Sequence, residues 1–273
     1  MNYTRQETLL KAEGVGLVLG GSRILRNINL RIDNIVRPGF TQGQVVALLG
    51  PSGIGKTQLF KILAGLRRPT EGTVTINEHG DRSPDGLVGV VAQHYPLLKF
   101  LTVRGNLYFA TRQRGLKGKD IRMKADEMLE RFGLTERRDL YPSQLSGGQR
   151  QRLAIAQQLL CSEHFLLMDE PFSGLDVIML ENVTKLITEV ASADELSTII
   201  VVTHDVTAAC TIADTIWLLG LEKDGEGKRI PGATVVREYD LIVEGLAWQP
   251  DLHLNPRLLE FSAQIKSEFR NLK

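Results

Sequence analysis

The stretch that decides the fold is VVALLGPSGIGKTQLFKILAGL, Val45 to Leu66. Its first five residues form a continuous apolar run, the pattern of a strand buried on both faces. After Lys56 the apolar residues recur at helical spacing until Gly65 and Pro69 end the pattern. Between them, Gly50-Pro51-Ser52-Gly53-Ile54-Gly55-Lys56-Thr57 fits G-x-x-x-x-G-K-[ST] in its required strand–loop–helix setting. The glycines let backbone N–H groups turn inward around phosphate oxygens, and the helix behind them adds a favourable dipole. Lys56 supplies a point charge for terminal phosphates and Thr57 a hydroxyl ligand for Mg²⁺. With Gln58, the next helical residue, these positions are the expected nucleotide cradle.

Upstream, VGLVLGGSRILRNINLRI (residues 15–32) reads as two strands broken at Gly20-Gly21-Ser22, followed by DNIVRPGFTQGQ as a loop. Downstream, GTVTIN and DGLVGVVAQ read as strands. From Val103 to Cys161 the pattern turns helical and basic, through VRGNLYFATRQRG, KDIRMKADEMLERFG and SGGQRQRLAIAQQLL. FLLMDEP is then a buried strand, VIMLENVTKLITEVASAD a helix, STIIVVTHD a strand, and TIWLLG a last apolar strand after a helix ending near Ala213. Strands alternating with helices predict an α/β fold with a mostly parallel sheet covered on both faces and a helical insert. GLEKDGEGKRIPG reads as a turn and PRLLEFSAQIKSEF as a packed helical appendage.

A phosphate loop needs a carboxylate site beside it. FLLMDE supplies one, with Asp169 placed to hold Mg²⁺ and Glu170 to polarise an attacking water. A second anion-cradle pattern, PSQLSGGQRQRLAIAQQLL from Pro142 to Leu160, lies about ninety residues after the first.

The ordered set GPSGIGKT, VVAQ, LSGGQRQRLAIA, FLLMDEPFSGLD and VVTHD resembles the ATP-binding cassette (ABC) ATPases over roughly residues 15–220. The resemblance implies a P-loop NTPase core, an N-terminal antiparallel β subdomain and an α-helical insert subdomain at about residues 94–161, all within an ATPase domain of residues 1–220. Residues 221–273 would be a C-terminal strand/helix extension. It further implies that Gln93 reaches Mg²⁺ and the attacking water, and that His204 bonds the γ-phosphate. Ser146, Gly147, Gly148 and Gln149 would contact ATP held by a second copy, and Asp176 would communicate across that dimer. Asp176 is equally a candidate N-cap for the helix beginning at Val177, and SGGQ a plain helix start with RQR as a solvated face.

The chain departs from the family pattern in three places. Leu19 stands where an aromatic residue usually stacks on adenine, so the base would meet an aliphatic surface. The link DNIVRPGFTQG is longer than usual, and Gln157 and Gln158 follow AIA where an arginine is common. The segment QHYPLLKFLTVRGNLYFA is similar to importer subunits of the nitrate, sulfonate and taurine group. Its Tyr95, Pro96, Leu97, Leu98 and Phe100 could receive a coupling helix of a membrane permease, or could be core.

At 273 residues the chain can bury one core, or one core and a smaller lobe. A net charge of +1 gives no reason to expect a nucleic acid partner. Cys161 and Cys210 read as buried thiols. No secretory signal and no apolar run of membrane-spanning length is visible, which predicts a cytoplasmic protein reaching the membrane through a permease. The expected activity is ATP hydrolysis with Mg²⁺ in a homodimer or with a paired ATPase subunit, a solute-binding protein being an indirect partner. The alternatives are a non-transport ATPase of the iron–sulfur assembly type and the ATPase of a lipid or lipoprotein export machine.

Overall fold

The computed structural model describes residues 3–36, 43–77, 81–82, 87–92, 95–113, 118–161, 165–175, 177–191, 198–247 and 255–272. In chain order the strands are β1 (Thr4–Leu19), β2 (Ser22–Val36), β3 (Gln44–Leu49), β4 (Glu71–Asn77), β5 (Asp81–Arg82), β6 (Val88–Val91), β7 (Phe165–Asp169), β8 (Thr198–Thr203), β9 (Thr215–Gly220) and β10 (Thr234–Asp240). The helices are α1 (Lys56–Leu63), α2 (Val103–Gln113), α3 (Lys119–Arg131), α4 (Gly147–Cys161), α5 (Val177–Ala191), α6 (Val206–Ile212) and α7 (Pro256–Asn271).

Two sheets form. One has the order β2-β1-β4-β5 and is antiparallel; the other has the order β10-β9-β3-β8-β7-β6. Within the second, β9, β3, β8, β7 and β6 run parallel and β10 closes one edge antiparallel to β9. This is the mixed α/β arrangement that the strand–helix alternation predicted.

The apolar runs show why the large sheet lies inside. Every residue of β3, β8 and β9 is buried. Because successive side chains point to opposite faces, these runs divide between separate cores. Val46, Leu48, Phe165, Leu167, Ile200, Val202, Trp217 and Leu219 face α1 and the antiparallel sheet. On the opposite face, Leu166, Met168, Ile199 and Val201 meet α2, α3, α4 and α5. Toward the other end of that face, Ala47, Leu49, Ile216 and Leu218 meet α6, α7 and the residues after β10.

β1, β2 and β10 differ from the sequence pattern, and the two-residue β5 was not part of it. β1 begins at Thr4 rather than near residue 15, and β2 continues through Val36, into the segment read as a loop. Register shifts at Arg5/Thr8, Thr8/Leu10 and Ala12/Val15 break the two-residue alternation, which hides the extra length. Residues 37–42 of that segment lie outside the described residues. β10 extends the large sheet past TIWLLG, and α7 lies over α6 through Leu258, Phe261 and Ile265. Neither cysteine is disulfide-bonded, Cys210 being buried and Cys161 only half-buried. Among the described residues no helix is long and apolar enough to cross a membrane.

The junction of β1 and β4 has no room for a side chain at Gly72. A Cβ there would lie 2.3 Å from the Glu13 carbonyl oxygen and 2.5 Å from that of Gly14, on a backbone with φ of +76°. Both obstacles are backbone, which cannot rotate aside. Gly72→Ala is expected to destabilise the fold by about 3 kcal/mol or more, measured as a lowered urea midpoint at unchanged slope.

Candidate active site

β3, β8 and β7 are neighbours, and their carboxyl ends bring three chemical elements to one edge. β3 delivers the glycine loop, β7 delivers Asp169 and Glu170, and β8 delivers Thr203 and His204. Crevices at strand carboxyl ends are the usual ligand sites of such sheets.

The loop ends at Gly55, which sits at φ of +114° as the N-cap of α1 and offers no side-chain cap. The first N–H groups of α1 are therefore not closed off by a capping side chain, which suits an anion. Lys56 is buried, and its Nζ donates to the carbonyl oxygens of Gly50 (2.8 Å) and Pro51 (3.2 Å). Burial pulls the Lys56 pKa down, a pull opposed by the nearby carboxylates of Glu170 and Asp169. A cavity of about 330 Å³ opens here, lined by Leu19, Ile24, Gly53, Gly55, Lys56, Thr57 and Gln58. Leu19 therefore does stand beside the glycine loop, with Ile24 as a second aliphatic wall. Thr57 is exposed at the start of α1, and Ser52 is exposed in the loop.

The Asp169 carboxyl has its pKa raised. Burial is the larger cause, followed by the adjacent Glu170 carboxylate, and Lys56 and Lys61 pull the other way. Its Oδ1 is buried and has no hydrogen-bond partner among the described residues. A buried oxygen with nothing to accept is costly unless a cation or water completes it. One carboxylate oxygen and the Thr57 hydroxyl fit Mg²⁺, which binds through one or two protein oxygens plus phosphates and water.

Glu170 is gripped by three consecutive residues at the end of β8. Its N–H donates to the Val202 carbonyl (2.8 Å), Thr203 Oγ1 donates to its Oε2 (3.3 Å), and His204 Nδ1 meets the same oxygen at 2.9 Å. Its other oxygen, Oε1, is 4.0 Å from Lys56 Nζ. Glu170 adopts φ of +49°, in the left-handed region, which costs a non-glycine residue about 1–3 kcal/mol. The β8 contacts hold it there. A carboxylate only accepts, so His204 Nδ1 carries the hydrogen and Nε2 is left for a second partner. Asp205 then caps α6, accepting from Ala208 N at 3.0 Å.

The second loop is a closed capping box. Ser146 N donates to Gln149 Oε1 (2.9 Å) and Gln149 N donates to Ser146 Oγ (3.3 Å), so Ser146 starts α4. Among the described residues, a Cβ on Gly147 or on Gly148 would meet nothing within 4 Å. This loop opens on its own cavity of about 520 Å³, bounded also by Arg131, Arg152, Leu175 and Lys185. That cavity shares no lining residue with the one at the glycine loop. Within one chain the two anion loops line different cavities.

The solvated-face reading of RQR fails at Gln151. Gln151 is 1% exposed and its Nε2 donates to the Pro171 carbonyl at 3.2 Å, while Arg150 and Arg152 are half-buried. Gln158, in place of an arginine, accepts from Val90 N at 3.0 Å, a bond no arginine could accept. Of the segment read as partner-facing, Leu97 is core, Tyr95 and Leu98 are half-buried, Pro96 is exposed, and Phe100 is 75% exposed. Gln93 and Asp176 lie outside the described residues. Sequence reasoning passed over Thr203 and took Gln151 for part of a solvated face, and only the polar type of each at a buried register could have signalled them.

A protein-family model described as ABC transporter matches residues 34–173. The chain is similar to the sulfate/thiosulfate import ATP-binding protein CysA of Mesostigma viride, 39% identical over 207 residues, 75% of this chain and 57% of that protein. It is 33% identical over 251 residues to the nitrate import ATP-binding protein NrtD of Synechocystis sp., covering 90% of this chain and 88% of that one. Thus the chain spans little more than half the length of the first relative and most of the second. Among solved structures, cbiO1 of Clostridium perfringens, part of the cbiONQ ABC transporter complex, superposes with a TM-score of 0.73 at 24% identity. That match covers 96% of this chain and all of the other, and it establishes the shared fold. With the family model spanning half the chain and the nitrate protein aligned along nearly all of it, the chain belongs to the ABC transporter family.

Proposed function

We propose that the chain hydrolyses ATP in two composite sites of a head-to-tail homodimer and so energises solute import through a separate membrane permease. The observation that carries this reading is the separation of the two anion loops, together with the open space over Gly147 and Gly148. Glycine costs a helix start stability relative to alanine, and none of the described residues crowds either position. Close approach by a ligand on a second copy gives both glycines a reason. The symmetric pairing yields two equivalent sites.

In each site, Gly50 to Gln58 would cradle the phosphates, with Leu19 and Ile24 covering the base. Thr57 and Asp169 would hold Mg²⁺, joined by Gln93, and the ion when bound neutralises charge on the phosphates. Lys56 would leave the loop carbonyls for the terminal phosphates. Glu170 would accept a proton from the attacking water through Oε1, the oxygen nearer Lys56, while its Oε2 stays on β8. His204 would offer Nε2 to the γ-phosphate. Ser146, Gly147, Gly148 and Gln149 of the second copy would close the site from the far side, with Asp176 at the dimer contact.

The relatives are named for import of sulfate, thiosulfate and nitrate, which supports import of a small oxyanion here. A permease would dock on the exposed side of the Tyr95–Phe100 segment and place the chain on the cytoplasmic membrane face. A solute-binding protein would act only through that permease. Residues 1–220 would form the ATPase domain, with 221–273 as its extension. Tagged chain extracted with membranes in mild detergent is expected to carry a multispanning permease, and Phe100→Asp to release it while ATP binding persists. Retention of a soluble scaffold instead, with no permease, would refute the transport reading.

A further inference from the structure

Thr203 is completely buried at the end of β8, one residue before His204. A buried hydroxyl must place both its proton and a lone pair. Thr203 Oγ1 accepts from Asp205 N at 3.1 Å, which uses a lone pair. Its proton goes to Glu170 Oε2 at 3.3 Å, its acceptor among the described residues. Glu170 carries no other side-chain donor to Oε2 than Thr203 and His204 among those residues. Of these two, His204 is about half exposed, with 53% of its side chain accessible, whereas Thr203 is fixed by the sheet.

We infer that Thr203 is a positioning residue for Glu170, its buried hydroxyl holding one carboxylate oxygen on β8 so that the other faces Lys56 and the phosphate site. This rests on Glu170 being the general base. The geometry gives the hydroxyl a second duty at the same atom. By accepting from Asp205 N it ties the backbone on the far side of His204 to the carboxylate that His204 also touches. A shift of the β8 end therefore moves Glu170 and His204 together. The methyl group cannot do this, because both contacts belong to Oγ1. Misplacing a reacting group by a fraction of an ångström lowers the chemical step more than binding.

The test uses the full-length chain with saturating Mg-ATP and compares Thr203→Val, Thr203→Ser, Glu170→Gln and the Glu170→Gln/Thr203→Val double variant. Thr203→Val keeps shape and removes the hydroxyl. It is expected to lower kcat about tenfold, with KM and the affinity for a fluorescent ATP analogue within about twofold of the parent. Thr203→Ser is expected to restore kcat to within about twofold, and the double variant to turn over no more slowly than Glu170→Gln alone. Size-exclusion chromatography with ATP should show the Thr203→Val dimer outliving that of the parent. Parental kcat in a folded Thr203→Val chain, failure of serine to rescue, or an equal loss in the Glu170→Gln background would each overturn the inference. Should Thr203→Val not fold, Thr203→Ala serves in its place under the same criteria. High turnover by Glu170→Gln alone would instead refute the general-base reading, and the two failures are thereby distinguished.

Discussion

Glu170→Gln is expected to cut steady-state ATP hydrolysis by about 10²- to 10³-fold, the range lost when a general base is removed, while ATP still binds. Glutamine keeps the length and the acceptor oxygen, so the bonds from Thr203 and His204 to the former Oε2 position can survive. The Glu170 backbone bond to Val202 is untouched. What disappears is the negative charge near Lys56 and the ability to take a proton. Because the phosphates are not cleaved, a bound nucleotide would continue to join two copies. Light scattering should report a dimer with ATP and Mg²⁺ and a monomer without. Parental turnover would remove Glu170 from the reaction, and loss of ATP binding would make it a structural residue.

Ser146→Arg is expected to abolish turnover to below about 1% of the parent, with ATP affinity of the monomer nearly unchanged. Ser146 and the glycine loop line different cavities, so the substitution is expected to leave a nucleotide held by its own chain in place. Part of the effect is local, since Ser146 Oγ also caps α4, and losing a cap costs about 1 kcal/mol. That is too little to unfold the chain. A mixture separates the explanations. Lys56→Ala disables the cradle, Ser146→Arg the opposing loop, and each homodimer is dead at both sites. A head-to-tail heterodimer of the two has one site with both parts intact. An equal mixture should recover up to about a quarter of parental activity, half the dimers each with one of two sites. No recovery from two folded, nucleotide-competent variants would argue against sites shared between chains.

The parts that read clearly from sequence are those whose chemistry permits few residue types. A phosphate cradle requires its glycines and Lys56, and a buried strand ending in Asp169-Glu170 places carboxylates where an apolar run would otherwise continue. β3, β7, β8 and β9 were legible because they are buried on both faces and almost wholly apolar. β10 was not. It is an edge strand with Arg237 and Glu238 exposed and an irregularity between Val235 and Arg237, so neither alternation nor apolarity marks it. Thr203 and Gln151 escaped for a different reason. Each is a polar residue whose partner lies far off in sequence, Pro171 being 20 residues from Gln151 and Glu170 33 from Thr203, and the pairing exists only once the chain has folded.

Gln151 and Gln158 are seven residues apart on α4, hence two turns, roughly 10 Å, and on nearly the same helix face. One is bonded to the turn that follows Glu170, the other to β6 at the margin of the large sheet. A rod pinned at two such points cannot spin about its axis and resists bending between them. Force applied at its Ser146 end would arrive at both pins together, one beside the chemistry and one just upstream of the segment that leads to Phe100. In mechanical terms α4 is a crank, a stiff element that joins its Ser146 end to the turn after Glu170 and to the margin of the large sheet.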